Sequence, residues 1–314
     1  MHILITGGAG FLGCNLARRL VKDGHKVTIL DNLQTGRIEN ISELLSPLYQ
    51  NVTFYKVDIS HICSFSFDNI KNIDQIYNLA CAASPPRYQK DGLHTLETNY
   101  TGSINMLRLA QKHGARLLQA STSEIYGDPL QHPQSETYWG HVNPIGVRSC
   151  YDEGKRVAET LCYEFRKKGV DARIARIFNT YGPNMDPNDG RVVSNFITQY
   201  LKNIALTIYG NGKQTRCFCY VDDMIEGLIR LMNHPTEQGP VNLGSTREIN
   251  IIELMSIISG SEHCIQYEDL PSDDPCVRKP DITRAKTILG WEPDVPLEVG
   301  LQKTVAYFRK CLNL

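Results

Sequence analysis

Three glycines, Gly7, Gly10 and Gly13, stand directly between a short apolar run, His2 to Thr6, and a stretch of helical periodicity, Phe11 to Val21. No other feature narrows the folds open to this chain as far. Gly7 permits a tight turn after a first strand, Gly10 lets the backbone approach a pyrophosphate, and Gly13 allows the following helix to pack closely on the sheet. The helix start at Phe11 and Leu12 then offers N–H groups to phosphates.

Lys26 to Leu30 is apolar again and ends at Asp31, so the first 31 residues read as a βαβ unit. At the end of a second strand the Asp31 carboxylate can accept hydrogen bonds from an adenosine ribose and repels a 2′-phosphate, which favours NAD over NADP. Arg37 is the counterargument, since a guanidinium could greet that phosphate; it weighs less than Asp31. Asn32 belongs with the same strand end. Asp58, just after a third strand and followed by Ile59, fits an adenine-edge contact, and Leu79-Ala80-Cys81-Ala82 after a fourth places small residues beside the dinucleotide.

Further strand-like runs at Val52 to Val57, Gln75 to Leu79, Arg116 to Ala120 and Arg173 to Phe178 alternate with helix-like stretches such as His94 to Lys112 and Tyr151 to Lys168. Alternation of this kind requires an α/β fold, a Rossmann-type doubly wound parallel sheet with helices on both faces. With 314 residues the chain has room for a smaller lobe as well. Residues 1–179 read as the NAD-binding Rossmann domain. Residues 180–314 read mainly as a C-terminal α/β substrate lobe, with segments near 217–245 returning to the first domain. The Pro, Asn and Gly-rich segment Tyr181 to Gly190 marks the junction. Beyond it come short strands near Leu206 to Tyr209 and Val241 to Leu243, helices near Val221 to Met232 and Ile251 to Ile258, and an irregular Pro271 to Asp281 stretch.

A formal charge of -1 gives no general attraction to nucleic acid or anionic lipid. Ten cysteines scattered through strands and helices of a chain this long read as reduced thiols rather than a disulfide framework. Cys217-x-Cys219 is the closest pair, but a structural zinc needs four ligands and no second pair accompanies it, so no metal is expected. No apolar run approaches the ~18 residues of a membrane span. The first strand begins at once, leaving no room for a leader, and the expected location is the cytoplasm.

The catalytic signal is Tyr151-x-x-x-Lys155, whose side chains face the same way on a helix. Ser149 is the expected N-cap. A phenol with a pKa near ~10 is a poor base at neutral pH, but an adjacent ammonium and a positively charged nicotinamide favour the phenolate. Tyr151 can then take a proton from a substrate hydroxyl while hydride leaves for the cofactor. Thr122-Ser123-Glu124 follows the fifth strand, the edge from which side chains reach a nicotinamide; Thr122 or Ser123 can hold the reacting hydroxyl.

Together these residues resemble the extended short-chain dehydrogenase/reductases, the group of nucleotide-sugar epimerases, dehydratases and decarboxylases, over nearly the whole chain. In that group 4,6-dehydratases typically place an Asp immediately before the Glu, and 4-epimerases usually lack that Glu; here Ser123 precedes Glu124. Four further segments are similar to those of the UDP-glucuronate decarboxylases, also called UDP-xylose synthases: Ala83-Ser84-Pro85-Pro86-Arg87-Tyr88, Asn143 to Arg156, Asp189 to Phe196, and Arg278-Lys279-Pro280-Asp281-Ile282. Arg87 departs from the pattern, where histidine is more usual.

The resemblance implies oxidation at C4 of a UDP-glucuronate ring, loss of CO₂ from the resulting β-keto acid, protonation at C5 and return of the hydride to C4, with NAD regenerated in each turnover. It places Tyr151, Lys155 and Thr122 at C4, and Glu124 and Arg278 around the departing carboxylate. It adds Asn99 to the cofactor site. It gives Pro86, Tyr88, Ser123, Asn179, Arg191, Arg216 and Tyr220, with Arg278, to the UDP-sugar. It also implies a homodimer, with the helical stretches His94 to Lys112 and Tyr151 to Lys168 pairing into a four-helix bundle between copies. A 4,6-dehydratase or 4-epimerase is the alternative.

Overall fold

The computed structural model describes residues 1–61, 67, 70–260, 264–275 and 277–314. The first half alternates as the apolar pattern requires: β1 (His2–Thr6), α1 (Phe11–Lys22), β2 (Lys26–Asp31), β3 (Val52–Lys56), β4 (Gln75–Asn78), α2 (Pro85–Lys90), α3 (Gly92–Glu97), α4 (Ser103–His113), β5 (Arg116–Thr122), α5 (Ser149–Arg166) and β6 (Ala172–Ile177). The second half is made of shorter pieces: β7 (Thr180–Tyr181), α6 (Val192–Leu201), β8 (Leu206–Tyr209), β9 (Thr215–Cys217), β10 (Cys219–Tyr220), α7 (Val221–Asn233), β11 (Val241–Leu243), β12 (Glu248–Asn250), α8 (Ile251–Ser259), β13 (Ile265–Glu268), β14 (Val277–Arg278), α9 (Thr283–Leu289) and α10 (Leu297–Cys311).

Seven strands form one sheet in the order β11-β6-β5-β4-β1-β2-β3, and every neighbouring pair in it is parallel. The strand order reverses between β1 and β4, which opens a crevice at their C-terminal ends where ligands of such sheets bind. The central strands are buried along their whole length, as a sheet covered on both faces demands.

The crevice is built from polar side chains as well as strand ends. Thr6 Oγ1 donates to Asn78 Oδ1 at 2.7 Å and accepts from the Leu79 and Ala80 amides at 3.1 and 3.2 Å. Those bonds draw the chain after β4 over the start of the Gly7 turn. α5 is held against the sheet by a buried ion pair: Arg176 on β6 donates from Nε and Nη2 to the two oxygens of Glu159 at 2.9 and 2.8 Å, and Ser121 on β5 donates to the same carboxylate. A bidentate pair of this kind fixes geometry as well as charge, and Tyr151 and Lys155 ride on the helix it fixes.

β11 joins the large sheet beside β6, while β9 pairs with β12 and β14 in a small separate sheet. Arg216 and Arg278, on β9 and β14, are register partners there. Part of the stretch expected to be irregular is therefore a strand, short because only two residues find partners. The expected helix from His94 to Lys112 is interrupted by a π turn, Thr98–Gly102, where Gly102 lies so close to Ile59 that a Cβ would stand 2.8 Å from its side chain. Ser149 is not the N-cap of α5 but its first residue, with Arg148 at the cap. Its hydroxyl is taken by the preceding loop, donating to the Asn143 carbonyl at 2.6 Å and accepting from the Gly146 amide at 2.7 Å.

Candidate active site

A cavity of about 550 Å³ runs from the Gly7 turn across the sheet's C-terminal edge to β14. Its cofactor end is shaped by backbone. Gly7 has φ +67°, and a Cβ there would lie 2.9 Å from the Ala80 backbone; a Cβ at Gly13 would lie 2.1 Å from the Gly7 carbonyl oxygen. Neither position admits a side chain, so turn, α1 and the chain after β4 close together. The first-turn N–H groups of α1 have no intrahelical partners, no side chain caps them, and Gly10, Phe11 and Leu12 line the cavity. Asp31 accepts from the Ala9 and Leu33 amides at 2.9 and 2.8 Å, which holds its carboxylate at the cavity wall. These features fit an adenine dinucleotide: a phosphate cradle at a helix start, and a fixed acid one strand away.

Arg37 is drawn off by other partners, donating to Asn40 Oδ1 at 3.3 Å and Tyr307 Oη at 3.4 Å and standing 4.0 Å from Asp186. Asp58 and Ile59 line the same end. The Asp58 carboxylate is the hub of a small network, accepting from Asn32 Nδ2 (2.8 Å), Ser60 Oγ (2.5 Å) and His94 Nε2 (2.7 Å). Burial pushes its pKa up, but these bonds outweigh it and the net direction is well down. Among the described residues one group of possible metal donors occurs, Asp58 with His61 and His94, within 4.8 Å of one another; the hydrogen bonds just given already occupy that carboxylate.

At the centre, Tyr151, Lys155, Thr122, Ser123 and Glu124 share the cavity wall with Ala80, Ala82, Pro86 and Tyr88. The Tyr151 ring stacks on Tyr88, centroids 4.8 Å apart. Lys155 Nζ donates to the Ala120 carbonyl at 2.9 Å and lies 5.6 Å from the centre of the Tyr151 ring. In the chain alone the expected depression of the phenol's pKa does not occur. Burial pushes Tyr151 well above the ordinary tyrosine range, with only partial relief from the Thr122 hydroxyl, and burial lowers Lys155.

The far end is built of buried ions. Arg278 Nη1 donates to Ser123 Oγ and Glu124 Oε1, both at 2.9 Å, and Nη2 to the Gly127 carbonyl at 2.8 Å. Arg148 Nη2 reaches Glu124 Oε2 at 2.5 Å, and its Nη1 reaches Asp274 Oδ1 at 3.2 Å. Burial raises the Glu124 carboxyl, but the guanidiniums of Arg278 and Arg148 win and hold it down at about 2. Asp152 shows the opposite balance. Burial and the neighbouring Glu124 charge push it up to about 7 against the pull of Arg148 and Arg278, and its Oδ1 is buried without a partner in the protein.

Asn179, Arg191 and Arg216 line this cavity too. Arg191 is paired to Asp189 through Nε, and Arg216 donates to Asp274 Oδ2 at 2.9 Å and the Pro275 carbonyl at 2.5 Å. Two residues expected at the site do not line this cavity. Tyr220 lines a separate cavity of about 210 Å³, because its position at the β10–α7 junction packs its ring edge-on against Tyr181. Asn99 lies behind the wall, donating to the Thr95 carbonyl at 2.9 Å and to Cys81 Sγ at 3.2 Å. Conversely, Arg148, Asp152, Asp274 and His94 were not singled out from the sequence. Arg87, the departure from pattern, bonds Asp186 at 3.1 Å and so joins α2 to the junction loop.

This fold and this cleft define a dinucleotide-dependent enzyme, and residues 3–244 match the NAD dependent epimerase/dehydratase family, to which the chain belongs. Its most similar relatives within that family include UDP-glucuronic acid decarboxylase 1 of Xenopus tropicalis, 54% identical over 99% of this chain and 73% of the relative. Among solved structures, the UDP-glucose 4-epimerase of Thermotoga maritima superposes with a TM-score of 0.90 at 31% identity, over 99% of this chain and 100% of that one. The UDP-glucuronic acid 4-epimerase of Bacillus cereus, solved with UDP-glucuronic acid and NAD, gives 0.87 at 27% over 99% and 100%.

Proposed function

We infer that this chain decarboxylates UDP-glucuronate to UDP-xylose with NAD that is regenerated in every turnover. The observation that carries the reading is Glu124, placed directly after β5 within the Tyr151 cleft and locked between two buried arginines, in a chain about half identical to decarboxylases along nearly its whole length.

Tyr151 takes the proton of the sugar's C4 hydroxyl, with Thr122 steering that hydroxyl and Lys155 supplying positive charge behind the ring. A bound NAD would supply hydride acceptance and return at C4 and a positive charge that would offset the burial holding the Tyr151 phenol protonated. Once C4 is a carbonyl, the C5–carboxylate bond breaks, CO₂ departs and its electron pair flows into the carbonyl as an enolate. Glu124 and Arg278 flank that carboxylate. A guanidinium is a poor acid and Glu124 is ionised, so the C5 proton arrives through a water that the pair orients. Tyr151 finally returns its proton to the C4 oxygen. Gly7, Gly10, Phe11, Leu12, Gly13, Asp31 and Asp58 would hold the dinucleotide, and Asn179, Arg191 and Arg216 the diphosphate, which arginine forks suit.

Purified protein incubated with UDP-glucuronate and catalytic NAD, followed by NMR and CO₂ trapping, is expected to yield UDP-xylose with one CO₂ per sugar and no net NADH. The structural likeness to 4-epimerases supports a second reading, in which the same substrate becomes UDP-galacturonate with no CO₂; that product would overturn the first.

A homodimer is proposed through two helical stretches, α3 to α4 running on through the π turn, and α5, which with their copies make a four-helix bundle. Leu93, Tyr100 and Tyr163, on or between these helices, are exposed apolar side chains, which supports it. A monomer by light scattering at micromolar concentration would refute it. A cytoplasmic setting is supported by the eight described cysteines, all free, and no described helix is long and apolar enough to cross a membrane.

A further inference from the structure

Arg148 stands three residues before Tyr151, at the entry to α5, and its guanidinium joins two carboxylates from opposite sides of the cleft. Nη2 binds Glu124 at 2.5 Å and Nη1 binds Asp274 at 3.2 Å. Glu124 is bound on its other flank by Arg278, and Asp274 by Arg216. Five charges of alternating sign therefore line the cleft in the order Arg278, Glu124, Arg148, Asp274, Arg216. Arg148 is the middle member, with a side chain only 9% exposed. Among the described ion pairs it joins the Glu124 pair to the Asp274–Arg216 pair.

We propose that Arg148 is a positioning residue for the reaction: it locks the Glu124 carboxylate, ionised, against Arg278 and ties it through Asp274 to Arg216 in the diphosphate end of the cleft. The proposal rests on the reading of the site as a decarboxylase. Arg278 spans both carboxylate oxygens but holds Oε2 only at 3.4 Å, and the 2.5 Å bond from Arg148 pins that oxygen. The geometry also couples the two ends. A diphosphate that binds Arg216 competes with Asp274 for the same guanidinium, and whatever hold Asp274 loses there it recovers on Arg148. Binding at the nucleotide end is thus felt at Glu124 through Asp274 and Arg148 in turn. The groups facing Glu124 are Arg278 from β14, Arg216 from β9, Tyr88 from α2, and Tyr151 and Asp152 from α5. Asp152, raised to about 7, keeps its proton throughout the range in which Glu124 titrates, so without Arg148 the Glu124 charge is balanced by Arg278 and Arg216.

The test compares Arg148→Lys and Arg148→Met in the full chain loaded with NAD, on two readouts. The first is the ¹³C NMR titration of the Glu124 carboxyl, assigned with Glu124→Gln. Its midpoint is expected to climb from about 2 toward the ordinary glutamate range in the methionine variant and part of the way in the lysine variant, which keeps the charge but not the fork. The second is steady-state turnover of UDP-glucuronate, where kcat is expected to fall about 10- to 100-fold, more than KM changes. Should the methionine variant fail to fold, the lysine variant carries both readouts. An unshifted titration with wild-type kcat overturns the proposal. An unshifted titration with a lowered kcat also overturns it, moving Arg148 to direct substrate contact. If the wild-type chain leaves UDP-glucuronate untouched, the functional reading falls instead, and the titration still decides what Arg148 does to Glu124.

Discussion

At the cofactor end of the cleft, β1, the Gly7 turn, α1 and Asp31 all lie within the first 31 residues, and what they present to a ligand is largely backbone. At the substrate end, Glu124, Arg148, Arg216, Asp274 and Arg278 come from four separate stretches of chain and present side-chain charge. The first end is rigid because glycine positions leave no space for anything else; the second is rigid because each ion is pinned by a partner of opposite sign. A backbone cradle binds the dinucleotide unit common to many enzymes of this fold. An ion line can be re-specified one residue at a time, which on the proposed reading suits it to choosing the sugar and its fate.

Tyr151 sits where the two ends meet, and Tyr151→Phe is the most severe way to break the junction. Turnover is expected to fall by about 10²- to 10⁴-fold while NAD and UDP still bind; near-normal turnover in steady-state assays would remove Tyr151 from the role of base. Next in size is Arg278→Met, which leaves the buried Glu124 with the single bond from Arg148. Breaking a buried pair from one side costs about 3 kcal/mol or more, so denaturant unfolding should show a loss of that order, and a neutral result would mean the ion line is not what stiffens this end.

Gly13→Ala attacks the other end. A methyl 2.1 Å from the Gly7 carbonyl oxygen forces α1 away from the turn, an overpacking cost of about 1–3 kcal/mol. NAD affinity measured by calorimetry should fall with it, while UDP affinity should change much less. Equal losses of both would show that the two ends are not separable.

The last prediction is one of pH, and the two acids differ in sign. Glu124 is held below its ordinary 4.5, so its contribution to stability is present above that value and is lost as pH falls toward about 2. Asp152 is raised above its ordinary 3.8, so the folded chain holds its proton more tightly; its contribution is full below that value and is lost as pH rises through about 7. Asp152→Asn should therefore flatten the decline in unfolding free energy between roughly pH 4 and 7. An unchanged slope would show that Asp152 is not the group titrating there.

Much of the cofactor end was legible in the sequence because its signals are local. The glycine spacing, the Asp at the next strand end and the alternation of apolar runs each depend on neighbours within a few residues, and the parallel sheet follows from them. The helix from His94 to Lys112 was legible only as a continuous run, since the π turn at Thr98–Gly102 answers to packing against Ile59. That Tyr220 lines a separate cavity was not legible, because its side of the β10–α7 junction goes with its packing on Tyr181. Arg148 and Asp152 read as ordinary residues at the start of a helix, an arginine before it and an acid in its first turn.

The sequence by itself determined the class of fold, the dinucleotide cradle, and the presence of a Tyr–Lys pair one helical turn apart, because these rest on backbone geometry and short-range periodicity that any reader of the chain can apply. Only the tertiary structure decided the ionisation of the site. Whether Glu124 is held at about 2 and Asp152 pushed to about 7 depends on which charges the fold buries beside them, and Arg278, 154 residues beyond Glu124 in the chain, reaches that carboxylate because β14 pairs with β9 and the chain after it bridges to Gln134. Electrostatic energy depends on distance in space and on burial, and neither is written in the order of the residues.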